Sequence, residues 1–292
     1  MRVVSFRVAG HEGFGVRTPA GIVDLSGSGT LSDLLRQTPS AIAETVAIAT
    51  RRGAPMRTFG SLSLLPAVPH PGKFVCLGLN YVDHAKEGGH HDLPPWPTLF
   101  MRGPTSLAAA GDPIVRPGIS DTLDYEAELA VVIGEPARRV SEASALKHVA
   151  GYALFNDATV REYQRITTQW TPGKNFDGTG AFGPEIVTPD ELPEGAAGLR
   201  ITSRLNGKIM QDGNTADMMF GVAKTISLLS QVMTLETCDV IAMGTPAGVG
   251  HARKPPVWMR PGDVCDIEIE KIGVLSNPIV ADVDESERRV AR

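Results

Sequence analysis

One short stretch of alternating apolar and acidic residues has the composition of a metal site. From Leu123 to Ile133 every odd-numbered position is apolar, whereas positions 124, 126 and 128 are acidic. A period of two predicts a strand with one buried face, and successive residues on one face lie roughly 7 Å apart. Glu126 and Glu128 could therefore converge on one cation, although the same alternation also fits a solvated outer face.

No Lys or Arg interrupts these acidic positions, so the strand itself offers nothing to relieve their repulsion. Like charges about 4 Å apart repel by roughly 4 kcal/mol at an effective dielectric constant of about 20, and a bound cation would remove that repulsion. A third carboxylate, Asp157, ends an apolar run, where it could equally serve as a helix N-cap. Three carboxylates without His or Cys at metal spacing favour Mg²⁺ or Mn²⁺, with Ca²⁺ as a substitute, over Zn²⁺.

A candidate base lies earlier in the chain, on a short predicted helix that glycines end. His84 and Glu87 are three residues apart, and at that spacing two helical side chains share one face. Glu87 could then orient an imidazole that takes a proton from water. Such pairs are also common on surface helices that have no catalytic role.

The elements around these residues indicate a β-rich α+β protein. Residues 1–68 combine short strand patterns with a helical stretch near 40–50, and a cluster of prolines at positions 66, 69 and 71 predicts an extended linker. We therefore predict a small α+β N-terminal domain over 1–68 and a catalytic domain over 69–292. In the second domain, short β-rich runs between Gly and Pro turns argue against a parallel doubly wound sheet. Its clearest predicted helix lies near 216–235.

Composition narrows the possible partners. The 292 residues are 42% hydrophobic and 21% charged, which is ordinary for a globular protein. The 28 basic and 33 acidic residues are spread along the chain, so nucleic acid is not an expected partner. No apolar run approaches the roughly 20 residues that span a bilayer, so no membrane is expected either. The first residues lack a signal-peptide pattern, and we expect a cytoplasmic protein.

Motifs of other chemistries are either absent or lack their structural context. Residues 178–183 fit G-x-G-x-x-G, but a strand-like Pro-Glu-Ile-Val follows where a dinucleotide site needs a helix. No G-x-S-x-G motif of a serine hydrolase occurs, and the three cysteines form no C-x-x-C pair.

From about Pro71 to Asp282 the chain resembles the fumarylacetoacetate hydrolase family in the identity and order of its motifs. These are Gly78-Leu-Asn-Tyr-x-x-His84-x-x-Glu87, Pro97-x-x-Phe-x-Arg102, Asp124-Tyr-Glu-x-Glu-Leu129, Asn156-Asp157, Gly173-Lys174-x-x-Asp177 and Gly244-Thr-Pro-x-Gly-Val-Gly250. The resemblance implies a mixed β-roll, usually in a homodimer. It also implies a Mg²⁺ or Mn²⁺ ion held by Glu126, Glu128 and Asp157.

The resemblance assigns further roles by motif position. His84 and Glu87 match a water-activating dyad on a lid, whose residues 88–95 would help to set specificity. Lys174 matches a lysine near the reacting carbonyl. Three more residues fall where the family makes substrate contacts, and they are Arg102, Gln164 and Thr245.

The function implied is metal-dependent hydrolysis of a C–C bond in a 2,4-dioxo acid, such as an acylpyruvate or a fumarylpyruvate-like compound, in carbon-compound or aromatic catabolism. The cation would stabilise the departing enolate, while Lys174 would stabilise the oxyanion. One alternative is a decarboxylase, enol-keto isomerase or hydratase of a 2-oxo acid. Another is a metal-binding or scaffold protein without activity.

Overall fold

The computed structural model describes residues 1–89 and 95–282. Residues 90–94 of the predicted lid and residues 283–292 of the predicted catalytic domain lie outside the described residues. The strands are β1 Arg2–Val8, β2 His11–Thr18, β3 Gly21–Asp24, β4 Met56–Arg57, β5 Ser63–Leu64, β6 Phe74–Gly78, β7 Thr98–Met101, β8 Leu107–Ala108, β9 Ile114–Arg116, β10 Leu123–Asp124, β11 Ala127–Ile133, β12 Val149–Asp157, β13 Thr159–Val160, β14 Gly180–Val187, β15 Arg200–Leu205, β16 Lys208–Asn214, β17 Val240–Ala242, β18 Val264–Ile269 and β19 Gly273–Ala281.

The α-helices are fewer and mostly short. They are α1 Leu31–Leu35, α2 Pro39–Arg51, α3 Val82–Glu87, α4 Glu142–Ala145, α5 Arg161–Gln164, α6 Thr171–Lys174 and α7 Val222–Val232. Helix α7 is shorter than the predicted stretch, because it begins only after Gly221 and ends before Met233, which has extended backbone angles. Strands predominate, and the predicted β-rich α+β class is confirmed. Among the described residues, no helix is long and apolar enough to cross a membrane.

The main sheet runs in the order β4-β3-β2-β1-β14-β12-β11-β17-β6-β7, with β5 beside β1 and β8 beside β14. Most of its pairs are antiparallel, although β6 and β17 are parallel. A second sheet has the order β16-β15-β18-β19-β9, and β10 pairs with β13 alone. The N-terminal strands continue the main sheet through β1, which pairs with β14 at Arg2–Val187 and Val3–Ile186. The division at residue 68 stays a prediction.

Strand β11 is buried on both faces, so the prediction of a single buried face is wrong. Leu129 and Val131 pack in one core with the second sheet, whereas Ala130 and Val132 pack in another with the N-terminal helices. The acidic positions 124, 126 and 128 share the parity of Ala130, and they too are buried. The predicted strand is also interrupted at positions 125 and 126, between β10 and β11.

Three phenylalanine rings pack together in the main sheet and connect strands β6, β12 and β14. The Phe74 ring centroid lies 4.8 Å from that of Phe155 and 5.3 Å from that of Phe182, and all three rings are buried. They come from β6, β12 and β14, so the cluster joins strands that are distant in sequence. Edge and tilted contacts of this kind add to the free energy gained by burying the rings.

We expect Phe182→Ala to lower the free energy of unfolding by about 3–5 kcal/mol, because it removes a buried ring and leaves a cavity. Urea titration followed by tryptophan fluorescence measures the change. Val232→Ala is the matched control, since the Val232 side chain is 62% exposed. Equal unfolding midpoints for the two variants would contradict the assignment of Phe182 to the core.

Candidate metal centre and active site

Neighbouring strands bring three acidic side chains together. Ala127 lies opposite Asn156 in the antiparallel β11–β12 pair. Glu126 and Glu128 are the neighbours of Ala127, and Asp157 is the neighbour of Asn156, so the three acids lie around this pair. One carboxylate oxygen from each acid lies within 4.8 Å of the others. The Glu126 N–H donates to Asn156 Oδ1 at 3.1 Å, a side-chain bond at the point where the strand is interrupted. The predicted ligands therefore share one buried position.

Asp157 is the last residue of β12 and does not cap a helix. Helix α5 starts at Arg161 after Val160, without a side-chain hydrogen bond at its N-cap. The Asp157 carboxylate instead accepts hydrogen bonds at 2.5 Å from Arg102 Nε and from Lys174 Nζ. The alternative reading of Asp157 as an N-cap is therefore wrong.

Basic side chains from distant parts of the chain surround the acids. Lys174 Nζ lies 2.6 Å from Glu126 Oε2, and Arg161 Nη1 lies 2.7 Å from Glu126 Oε1. Arg161 Nε also donates to Asp124 Oδ2 at 2.8 Å. The prediction that no basic residue lies among the acids along the strand holds, and in three dimensions Arg102, Arg161 and Lys174 supply the basic partners from other elements.

The buried charges nevertheless do not cancel. The cluster contains four carboxylates and three cationic side chains, which are Asp124, Glu126, Glu128, Asp157, Arg102, Arg161 and Lys174. Within the described ranges, the Glu128 carboxylate forms no ion pair and accepts one hydrogen bond, from the Gly244 N–H at 3.0 Å. Burial and the charges of Asp157 and Glu126 raise the pKa of Glu128 well above its usual value. A hard divalent cation would supply the missing positive charge, so this oxygen donor set fits Mg²⁺ or Mn²⁺.

Glu126 and Asp124 are held in their ionised forms. Burial alone would raise the pKa of Glu126, but Lys174 and Arg161 lower it far below the usual value. Burial likewise opposes ionisation of Asp124, yet Arg161 and hydrogen bonds from His251 lower its pKa overall. These two carboxylates therefore keep their negative charge at neutral pH.

The predicted dyad is formed within α3. His84 Nδ1 lies 2.9 Å from Glu87 Oε1, and the His84 side chain is largely buried. Glu87 Oε2 also accepts the Gly248 N–H at 2.9 Å, so one carboxylate holds both the imidazole and the Gly244–Gly250 loop. Because Nδ1 is engaged by Glu87, Nε2 is the ring nitrogen left for a ligand.

A cavity of about 350 Å³ joins these groups. Its wall includes six of the predicted site residues, which are His84, Glu126, Glu128, Gln164, Lys174 and Thr245. Of the other three, Asp157 contacts Lys174 and Glu87 contacts His84, and both of these partners line the cavity. Arg102 lies outside the described wall, where its guanidinium donates to Asp157, to Thr179 and to the Ala158 carbonyl. Its predicted contact with substrate gains no support from that position.

Sequence reasoning did not single out Asp124, Arg161, Arg165 or His251. Asp124 accepts the Gly250 N–H at 2.7 Å and the His251 N–H at 3.0 Å, so it fixes the end of the glycine-rich loop. A Cβ atom on Gly250 would lie only 2.5 Å from Asp124 Oδ1, so glycine is required there. Asp124 shares the acidic alternation and begins the Asp124–Leu129 motif, and these were the signals available for a role.

Comparison with known proteins identifies similar sequences. The family model described as fumarylacetoacetate (FAA) hydrolase C-terminal matches residues 73–280. A mitochondrial protein named oxaloacetate tautomerase, from Homo sapiens, is 37% identical over 290 residues, covering 96% of this chain and 92% of that protein. Another oxaloacetate tautomerase, from Bacillus subtilis, is 41% identical over 231 residues, covering 78% of this chain and 76% of that protein.

Solved structures with the same fold span nearly the whole chain. Fumarylacetoacetate hydrolase from Exiguobacterium antarcticum is 34% identical with a TM-score of 0.81, over 97% of this chain and 100% of that one. Maleylpyruvate hydrolase from a Sphingobium species, in complex with manganese(II) and pyruvate, is 26% identical with a TM-score of 0.79, with the same coverage.

We expect Glu128→Gln to weaken Mn²⁺ binding on the order of 100-fold or more, because it removes the carboxylate that lacks a protein cation. Isothermal titration calorimetry of the metal-free protein with Mn²⁺ measures this loss. Glu44→Gln, an exposed change on α2, serves as the control. Unaltered Mn²⁺ affinity in Glu128→Gln would eliminate this carboxylate as a ligand.

Proposed function

Because the chain belongs to the fumarylacetoacetate hydrolase family, we propose that it interconverts the keto and enol forms of a 2-oxo acid, with oxaloacetate as the expected substrate. The observation that carries the proposal is the position of His84 and Lys174, which line one cavity beside Glu126 and Glu128. A proton transfer between carbon and oxygen needs a base and an oxyanion donor in one site. The names of the human and Bacillus relatives support the same reaction.

His84 would move the proton at carbon. In the keto-to-enol direction, its Nε2 takes a proton from C3, the C2–C3 double bond forms as the C2=O π electrons move to oxygen, and the C2 oxygen then takes up the proton that Nε2 removed. The reverse direction returns the proton to C3, so nothing is consumed. Glu87 holds Nδ1 and stabilises the imidazolium that forms when Nε2 is protonated.

Lys174 would stabilise charge at oxygen. Burial alone would lower the pKa of Lys174, but Asp157 and Glu126 raise it above its usual value, so the group stays an ammonium. Two of its N–H groups are used by Glu126 and Asp157. The third can donate to the C2 oxygen as negative charge develops there.

A divalent cation held by Glu126, Glu128 and Asp157 would act as a Lewis acid toward the carboxylate and 2-oxo oxygens of the substrate. Gln164 and Thr245 line the same cavity and remain the proposed substrate contacts. The hydroxyl of Thr245 accepts a hydrogen bond from Gln211 Nε2 at 2.7 Å, which fixes its position. The homodimer and the cytoplasmic location stay predictions, and the human relative is named as mitochondrial.

Glu87→Gln should lower kcat for oxaloacetate tautomerisation by a factor on the order of 10², because a neutral amide stabilises the imidazolium less than a carboxylate does. Loss of enol absorbance measures the rate, and calorimetry checks that Mn²⁺ affinity is retained. A kcat equal to that of the unmodified protein would refute the dyad. Failure of the unmodified protein to act on oxaloacetate with Mg²⁺ or Mn²⁺ would refute the proposed reaction and favour a non-catalytic role.

Hydrolysis of a 2,4-dioxo acid is the second candidate, and the Sphingobium hydrolase supports it because that neighbour binds manganese(II) and pyruvate in the same fold. In this reaction His84 would take a proton from water, and the resulting hydroxide would attack the distal carbonyl. Collapse of the tetrahedral oxyanion would break the C–C bond and release a carboxylic acid and the enolate of the 2-oxo acid, which takes up the proton from His84. Lys174 would then stabilise the oxyanion at that carbonyl.

Solvent labelled with ¹⁸O distinguishes hydrolysis from the other reactions. A hydrolase should place one solvent oxygen in the carboxylic acid released from an acylpyruvate, as measured by mass spectrometry. A tautomerase or a decarboxylase forms no such acid. Because 2-oxo groups exchange oxygen with water unaided, the label is counted only in the released acid and against an incubation without protein.

A further inference from the structure

The wall of the cavity carries more positive charge than the proposed reaction uses. Besides Lys174, it includes Arg161 and Arg165. Arg161 is 4% exposed, and its Nη2 atom is buried without a hydrogen-bond partner among the described residues. A buried guanidinium nitrogen without a partner is costly, so this part of the wall has more donors than acceptors.

Arg165 follows Arg161 by four residues, directly after α5. Arg161 contacts Glu126 at the metal centre. Arg165 is the C-cap residue of α5 and lines the same cavity as Arg161. Its side chain is exposed, and within residues 1–89 and 95–282 it forms neither an ion pair nor a side-chain hydrogen bond.

The segment around Arg165 is held in place by its own contacts. Thr167 Oγ1 accepts the Gln169 N–H at 3.1 Å and donates to the Gln169 carbonyl at 3.0 Å, which forms a tight turn. Trp170 then packs against Phe100, with ring centroids 5.8 Å apart. It also lies so close to Gly78 that a Cβ atom there would be 2.0 Å from the indole ring. These contacts fix the segment that directly follows Arg165 at the cavity.

From this arrangement we infer that Arg165 binds a second carboxylate of the substrate and makes the enzyme selective for 2-oxo dicarboxylic acids. The inference rests on the proposed function and names the residue that selects for its substrate class. The 2-oxo acid end lies at the three carboxylates and Lys174, and the distal carboxylate meets the Arg165 guanidinium on the wall of the same cavity. A planar guanidinium can hold a carboxylate through two parallel hydrogen bonds.

The experiment compares tautomerisation of oxaloacetate with that of phenylpyruvate, which has a single carboxylate. Arg165→Gln should lower kcat/KM for oxaloacetate about tenfold, mainly through KM, the size expected for one charge-assisted hydrogen-bonded pair. The value for phenylpyruvate should fall by less than about twofold. Arg165→Lys should lie between, because it keeps the charge but loses the paired donors. Arg52→Gln, an exposed change at the C-cap of α2, is the control.

Salt gives a second measure, since Arg165 is exposed and its attraction for an anion is screened. The preference for oxaloacetate over phenylpyruvate should shrink as NaCl rises in the unmodified protein, and it should change less in Arg165→Gln. Equal losses for the two substrates, or none, would overturn the inference while leaving the tautomerase intact. If the unmodified protein turns over neither acid, the proposed function fails. In that case, calorimetry of the binding of the two acids tests the inference. Equal affinities of the unmodified protein and Arg165→Gln for oxaloacetate would overturn it.

Discussion

The structure depends on keeping four carboxylates together in a space from which water is largely excluded. Burying a single unpaired carboxylate is so unfavourable that the group would take up a proton instead. Here Arg102, Arg161 and Lys174 offset three of the four charges and are themselves buried, so each partner is needed by the others. The imbalance at Glu128 is the feature that suits the cluster to a divalent cation. The same pairs fix the direction in which Lys174 presents its remaining N–H.

Carboxylate side chains connect the elements that form the site. Asp124 holds the end of the Gly244–Gly250 loop through backbone N–H groups, and Glu87 holds its middle through Gly248. Glu128 accepts the N–H of Gly244 at its beginning. Three acids from separate elements thus position one loop, and that loop contributes Thr245 to the cavity. His84, the three clustered carboxylates and the loop therefore depend on one set of contacts.

The sequence predicted the β-rich class, the short helix that carries His84 and Glu87, and the grouping of Glu126, Glu128 and Asp157. Period-two alternation and helical spacing report local geometry, so these elements were accessible. The sequence did not reveal that both faces of β11 are buried, because small apolar residues such as Ala130 and Ala153 pack there without an obvious pattern. It also did not predict the pairing of Arg161 with Asp124 and Glu126. These residues are more than 30 positions apart in sequence, and only the fold brings them into contact. Roles assigned by resemblance, including the contact of Arg102 with substrate, remain predictions.

The pairing of β1 with β14 has a consequence for the behaviour of the chain in solution. The wall of the cavity is formed by residues between Leu77 and His251, so in the described structure the N-terminal strands line none of it. They cover instead the end of β14 near Ile186 and Val187, next to the strand that carries Asp157. Uncovered, those backbone groups would form an apolar sheet edge, which readily pairs with strands of other chains. Without the N-terminal segment that edge would be open to such pairing, although every residue of the cavity wall would remain.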